Sequence, residues 1–304
     1  MAAALVAATP VAAAAAAGQG PAAPGEAAGD EIVVTGSRDR ERAVRDFVEA
    51  VTVESGGQVA RFATPVCPAS FGLPAGYNSV IAGRIRQIAA HLGIGARGEG
   101  CDPNVIVVFA ERGGEFLGRL REERPALFSA LELAEIRRLL GAEGPVRAWQ
   151  LVEPRGADGR PMERISWLEG SPPRYIPRGY RLTGVMPSLT RTATRQDLAL
   201  ALVVFDVEAI EGLTLLQLAD HAAMRALAMT EAGAAAGPSR RSILGLFEDR
   251  ATGAAPAGAL TDWDSAYLAA LYGTMNDVTA GRQRSIMART MARELDSEAL
   301  RRQR

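Results

Sequence analysis

The sequence predicts an α+β fold, a mixed sheet packed by helices with a helical C-terminal part. Three observations predict it. Short apolar runs such as NVIVVFA (104–110) are interleaved early with stretches whose apolar residues fall three and four apart. Strand-like runs then cluster between residues 146 and 210. After them the chain reads as helix to its end. That order fits one sheet covered by helices. With 304 residues, 48% of them apolar, there is material for a sizeable core.

Taken in order, the first stretch is MAAALVAATPVAAAAAAGQG. It is short, apolar and almost uncharged, and an Ala-x-Ala pattern precedes Gly18. It predicts a signal peptide over 1–18, although its start lacks the usual Arg or Lys. A mature protein in the periplasm, or secreted from a Gram-negative bacterium, follows from that. Residues 19–38 read as a Gly/Pro/Ala linker that ends in DEIVVTGSR. The 31–38 segment resembles the stretch after the signal peptide in TonB-dependent outer-membrane receptors. Their large barrels need far more chain than this. The segment reads as an edge strand or tail, or as a peptide that docks to a partner's sheet.

The domain is expected over 39–280. Ala43, Val44, Phe47, Val48 and Val51 predict a helix from Arg40 to Thr52. QVARFATPVC (58–67) predicts a strand. Ile81, Ile85, Ile88 and Leu92 predict a helix over 77–92 that stops at Gly93. NVIVVFA predicts a strand buried on both faces. Helices are expected near 113–122 and 131–140, then strands at VRAWQLV, RISWL, RYIPRGYRLTG and DLALALVVFDVEAI. Two loops, 231–239 and 251–259, interrupt the helical part. Residues 281–304 carry many Arg on a thin apolar stripe of Ile286, Met287, Met291, Leu295 and Leu300. They predict a separate basic C-terminal helix or tail, either solvated and frayed or meeting anionic lipid or a partner.

Composition excludes several chemistries. All 34 basic side chains are Arg, so a P-loop, a Schiff-base lysine and a Ser–Lys nucleophile pair are ruled out. The net charge of −1 gives no field that favours nucleic acid. No run is long and apolar enough for an integral membrane span. GIGARG (93–98) matches G-x-G-x-x-G, but a helix precedes it and a strand follows. A dinucleotide site needs the reverse, so the stretch reads as a helix C-cap and loop. No G-x-S-x-G elbow is present. Asp262 and Asp264 in TDWDSAYLAALY read as helix capping with Thr261 as N-cap. Cys67 and Cys101, the only cysteines, are expected to form one disulfide in an exported protein.

The stretch GLTLLQLADHAAMRALAM (212–229) is the most regular helix. Leu215, Leu218, Ala219, Ala222, Ala226 and Met229 give one apolar face. Gln217, His221 and Arg225 lie four apart on a neighbouring stripe, with Asp220 beside them. Laid over the metallopeptidase pattern H-E-x-x-H, this helix keeps only the second His, as His221. Gln217 stands where the first ligand would be, and Leu218 where the base would be. Leucine cannot deprotonate a metal-bound water. The only other imidazole is His91, on another helix.

Arg61-Phe62, the helix around Gln217, Ser242-Ile243-Leu244 with Phe247, and Leu260-Thr261…Asp264…Leu268…Leu271-Tyr272 together carry a resemblance. From about Arg40 to Tyr272 the chain resembles a family of secreted bacterial proteins of unknown function with a zincin-like, metallopeptidase-related fold. The resemblance implies that fold, degenerate in the metal-binding helix, and no activity. The expectation is therefore a non-catalytic protein with no catalytic residues, metal or cofactor. It would bind a peptide, glycan or periplasmic protein through a cleft lined by Gln217, Asp220, His221 and Arg225. Two alternatives stand beside it. One is a hydrolase with an atypical site around His221, and the other a TonB-linked accessory protein acting through 31–38.

Overall fold

The computed structural model describes residues 37–128, 131, 133–142, 144–165, 179–183, 188–231 and 241–302. The expected signal peptide and almost all of the 31–38 segment lie outside them; Ser37 and Arg38 open the first helix. Along the chain the elements are α1 (Ser37–Val51), β1 (Pro68–Phe71), α2 (Ala75–His91) and β2 (Val105–Ala110). Helices α3 (Gly113–Glu123) and α4 (Leu133–Leu140) follow. Next come β3 (Val146–Gly156), β4 (Glu163–Ile165), β5 (Gly179–Arg181) and β6 (Thr194–Asp206). The rest is helical, as α5 (Leu215–Leu227), α6 (Leu246–Thr252), α7 (Asp262–Gly273) and α8 (Ala280–Arg302). The fold is α+β, as expected.

The sheet runs β1-β2-β6-β3. The first three strands are parallel, and β3 is antiparallel to β6. Strands β2 and β6 are apolar without alternation because both their faces are covered. On one face, α3 and α4 pack over Val108, Trp149, Leu202 and Val204. On the other lies the main core, built from α1, α2, α5, α7 and α8. Phe109 and Phe205, paired in register, stack there at 5.1 Å. Strands β4 and β5 form a separate two-stranded ladder.

The disulfide is present. Cys67 and Cys101 are bonded across a Cα separation of 6.1 Å. The bond ties the loop after α2 to the entry of β1, where Asn104 also accepts from the Cys67 N–H at 2.6 Å. Gly93 follows the last turn of α2 with φ of 72°, a left-handed value that glycine adopts without strain. GIGARG is thus a helix end and loop. Among the described residues no helix is long and apolar enough to cross a membrane.

One expectation fails. Residues 58–67 are not a strand; their β pairing is limited to isolated bridges at Gln58, Arg61 and Val66. Val59, Ala60, Phe62 and Val66 are buried, but polar side chains hold the segment instead of a ladder. Gln58 Nε2 donates to Thr192 Oγ1 and to the carbonyls of Thr194 and Asn276. Arg61 donates to the carbonyls of Leu271 and Thr274.

Residues 281–304, expected as a basic C-terminal helix or tail, form helix α8 as far as Arg302. Helix α8 belongs to the same compact unit and packs against α1 and α7. Its stripe is narrow, yet Met287, Met291 and Leu295 reach a core whose other walls are broad. Buried Gln283 accepts from the Val59 N–H at 2.7 Å and fixes the helix start. Met291→Ala is expected to lower stability by about 2–5 kcal/mol in urea unfolding, as a buried cavity does and a frayed tail does not. Replacing Cys67 and Cys101 together by Ser should cost about 3–4 kcal/mol in the same assay, from the loop the bond closes.

Candidate functional site

Helix α5 begins with a capping box. Thr214 Oγ1 accepts from the Gln217 N–H, and Gln217 Oε1 accepts from the Thr214 N–H at 3.0 Å. Gln217 Nε2 then donates to the Ala257 carbonyl at 2.9 Å. The side chain expected to line a cleft is therefore spent on starting the helix and holding the loop before α7. The spacing Thr214-x-x-Gln217 carries that assignment in the sequence itself.

Every residue from Gln217 to Leu227 is buried. The polar stripe expected beside the apolar face does not meet solvent, because α5 is enclosed from Gln217 onward. Its polar residues are anchors. Asp220, fully buried, takes Arg84 Nε at 2.6 Å and Arg84 NH2 at 3.1 Å. It also accepts from the Leu260 N–H at 2.7 Å. One carboxylate thus joins α2, α5 and the loop before α7. Removing Arg84 would strand a buried charge. Arg225 donates to the Thr230 carbonyl and hydroxyl and to the Glu231 carbonyl, each at 3.0 Å. Burial pushes its pKa down to about 10.

His221 lies between aromatic rings. Phe205 is 5.7 Å away and Phe247 5.3 Å, both edge to face. Among the described residues its Nδ1 has no hydrogen-bond partner. Burial, with the Arg225 charge nearby, pushes its pKa down to about 3, so it is neutral at physiological pH. His91 is exposed at the end of α2, in a small pocket of about 260 Å³ with Asp262 and Glu294. No group of three or more His, Cys, Asp or Glu that could hold a metal occurs among the described residues. The four candidate residues thus share one helix but line no cleft; each points to a different neighbour.

The structure brings another set together. Asp264 is fully buried at the start of α7. It accepts from the Ser242 hydroxyl, the Ile243 N–H at 2.9 Å and the Thr261 N–H at 2.9 Å. Burial still raises its pKa above the ordinary carboxylate value, against those hydrogen bonds. Four residues further from Tyr267, whose hydroxyl meets Thr52 at 3.0 Å, stands Leu271, whose carbonyl takes Arg61. Tyr272 donates to the Leu227 carbonyl at 2.7 Å, at the end of α5. Arg61, Ser242-Ile243, Thr261…Asp264 and Tyr272 are thus parts of one hydrogen-bonded scaffold around α7. Thr261 and Asp264 form the capping box of this helix, as the sequence suggested, whereas Asp262 in its first turn is bound outside by Arg302 at 2.7 Å.

No family model, curated protein or solved structure matches this chain.

The site predicts a pH dependence. The unfolded chain protonates His221 near its ordinary value of 6.5, whereas the folded chain holds it neutral down to about 3. The unfolded state therefore binds the extra proton in that window, and stability falls as pH is lowered through it. The slope from this residue is about 1.4 kcal/mol per pH unit below 6.5. His221→Leu should flatten the fall in urea midpoint between neutral and acidic pH. An unchanged slope would mean that His221 already protonates in the folded protein.

Proposed function

We propose that the protein is an exported, non-catalytic binding protein with a zincin-like fold. The observation that carries this reading is the state of α5. The helix that would carry a metallopeptidase site is buried from Gln217 to Leu227, and its polar groups serve packing. At the base position, Leu218 is 2% exposed and has no proton chemistry to offer. His221 is the one group there with a free acceptor, and water does not reach it.

Export is supported by the disulfide and by the Ala-rich start of the sequence. The zincin-like reading is supported by the convergence of Arg61, Ser242, Asp264 and Tyr272 on α7, since these residues carry the family resemblance. Among possible ligands, a peptide or protein segment fits best. The outer strand β3 is 11 residues long, and among the described residues no strand pairs with its outer edge from Val146 to Pro154. Such an edge can take an extended chain by backbone hydrogen bonding.

The test is metal analysis and peptide hydrolysis on protein recovered from the periplasm. Wild type is expected to carry no stoichiometric zinc and to leave unfolded casein intact. Zinc and hydrolysis that both vanish in His221→Ala would make the protein a hydrolase with an atypical site around His221.

A further inference from the structure

Helices α1 and α8 pack side by side, and their outer shoulders enclose an open groove of about 670 Å³. This volume lies in the range of ligand sites. From α1, Glu41, Arg45, Val48 and Glu49 face it, a stripe four, seven and eight residues along one side of a helix. From α8, Arg289 and Arg293 face it across a base of Ala288 and Ala292.

Some of the groove's charges are already committed. Arg284 pairs with Glu49 at 3.0 Å and with Glu54 at 2.9 Å. Asp296 pairs with Arg40 at 2.6 Å. Arg45, Arg289 and Arg293 are exposed and have no carboxylate partner among the described residues. Arg293 reaches only the Arg289 carbonyl and the Thr290 hydroxyl. Arg289 and Arg293 are also one helical turn apart on the same side of α8. Like charges at that spacing oppose helix formation. The helix thus keeps an arrangement that works against its own stability, and such conflicts mark functional surfaces.

We propose that this groove docks an acidic segment of a partner protein. Carboxylates of the segment pair with Arg45, Arg289 and Arg293, and its small apolar side chains rest on Ala288 and Ala292. Guanidinium groups suit carboxylates through paired, charge-assisted hydrogen bonds. The acids Glu41, Glu49 and Asp296 lie between the arginines. They repel a uniform polyanion, so an acidic segment whose carboxylates are spaced apart by small uncharged residues fits where nucleic acid or an anionic membrane does not. The proposal does not rest on α5 or on the edge of β3.

Fluorescence anisotropy on the full chain tests it, with a labelled Ala-rich peptide bearing Glu at every fourth position. Wild type should bind this probe and lose binding as salt rises. The triple variant Arg45→Ala, Arg289→Ala, Arg293→Ala should bind at least about tenfold more weakly, as expected for the loss of such pairs. The matching Gln peptide should bind no better than the variant does. Arg289→Gln is a folding control: its thermal midpoint should equal or exceed that of wild type, because one like charge has gone. No binding by wild type, equal binding by the triple variant, or tighter binding to phosphatidylglycerol vesicles than to the peptide would overturn the proposal. A lower midpoint for Arg289→Gln would also overturn it, by making these arginines structural.

Discussion

A buried helix must satisfy its polar groups inside the protein, and α5 is such a helix from Gln217 onward. That constraint organises the neighbouring structure. Asp220 requires a cation and finds Arg84 on α2; it requires a further donor and finds the Leu260 N–H. Gln217 needs an acceptor and draws in Ala257. Arg225 folds the chain after α5 back onto itself at Thr230 and Glu231. Gln150 of β3 reaches the Arg225 carbonyl at 2.6 Å, so the sheet is held at the same point. The polar side chains of one helix thereby set the positions of α2, the sheet and the loop before α7.

The same logic repeats around α7. Asp264 without solvent is tolerable only because hydroxyl and N–H donors converge on it. Together the two helices account for the polar residues that looked most like chemistry. A carboxylate, an amide, an arginine and a histidine within nine positions suggest a site when read along the chain. In three dimensions they connect different elements. At the groove between α1 and α8 the situation is the opposite: Arg45, Arg289 and Arg293 are exposed and have no carboxylate partner among the described residues.

Much of the fold was legible because periodicity is a local signal. NVIVVFA announced a strand buried on both faces, and Ile81, Ile85 and Ile88 announced α2. The cap at Thr261 was legible because its partner is three residues away. Residues 58–67 misled because apolar residues report burial, not ladder hydrogen bonds, and Gln58 and Arg61 take over the binding of that segment. How deeply the C-terminal helix is seated was not legible, because a stripe of three core residues is too thin to judge without knowing how broad the facing walls are. The burial of His221 was not legible at all, since Phe205 and Phe247 approach it from other parts of the chain.

The packing of α1 against α8 has a kinetic consequence. Arg40 and Asp296 meet across a sequence separation of 256 residues. The main core draws on both helices, so it cannot close until the later one has returned to the earlier one. Parallel pairing of β2 with β6 adds another long loop that must close before it is rewarded. Folding of this chain is therefore a slow, late-closing process. Until closure, Phe47, Val51 and the apolar strands stay uncovered and open to chaperones and to aggregation.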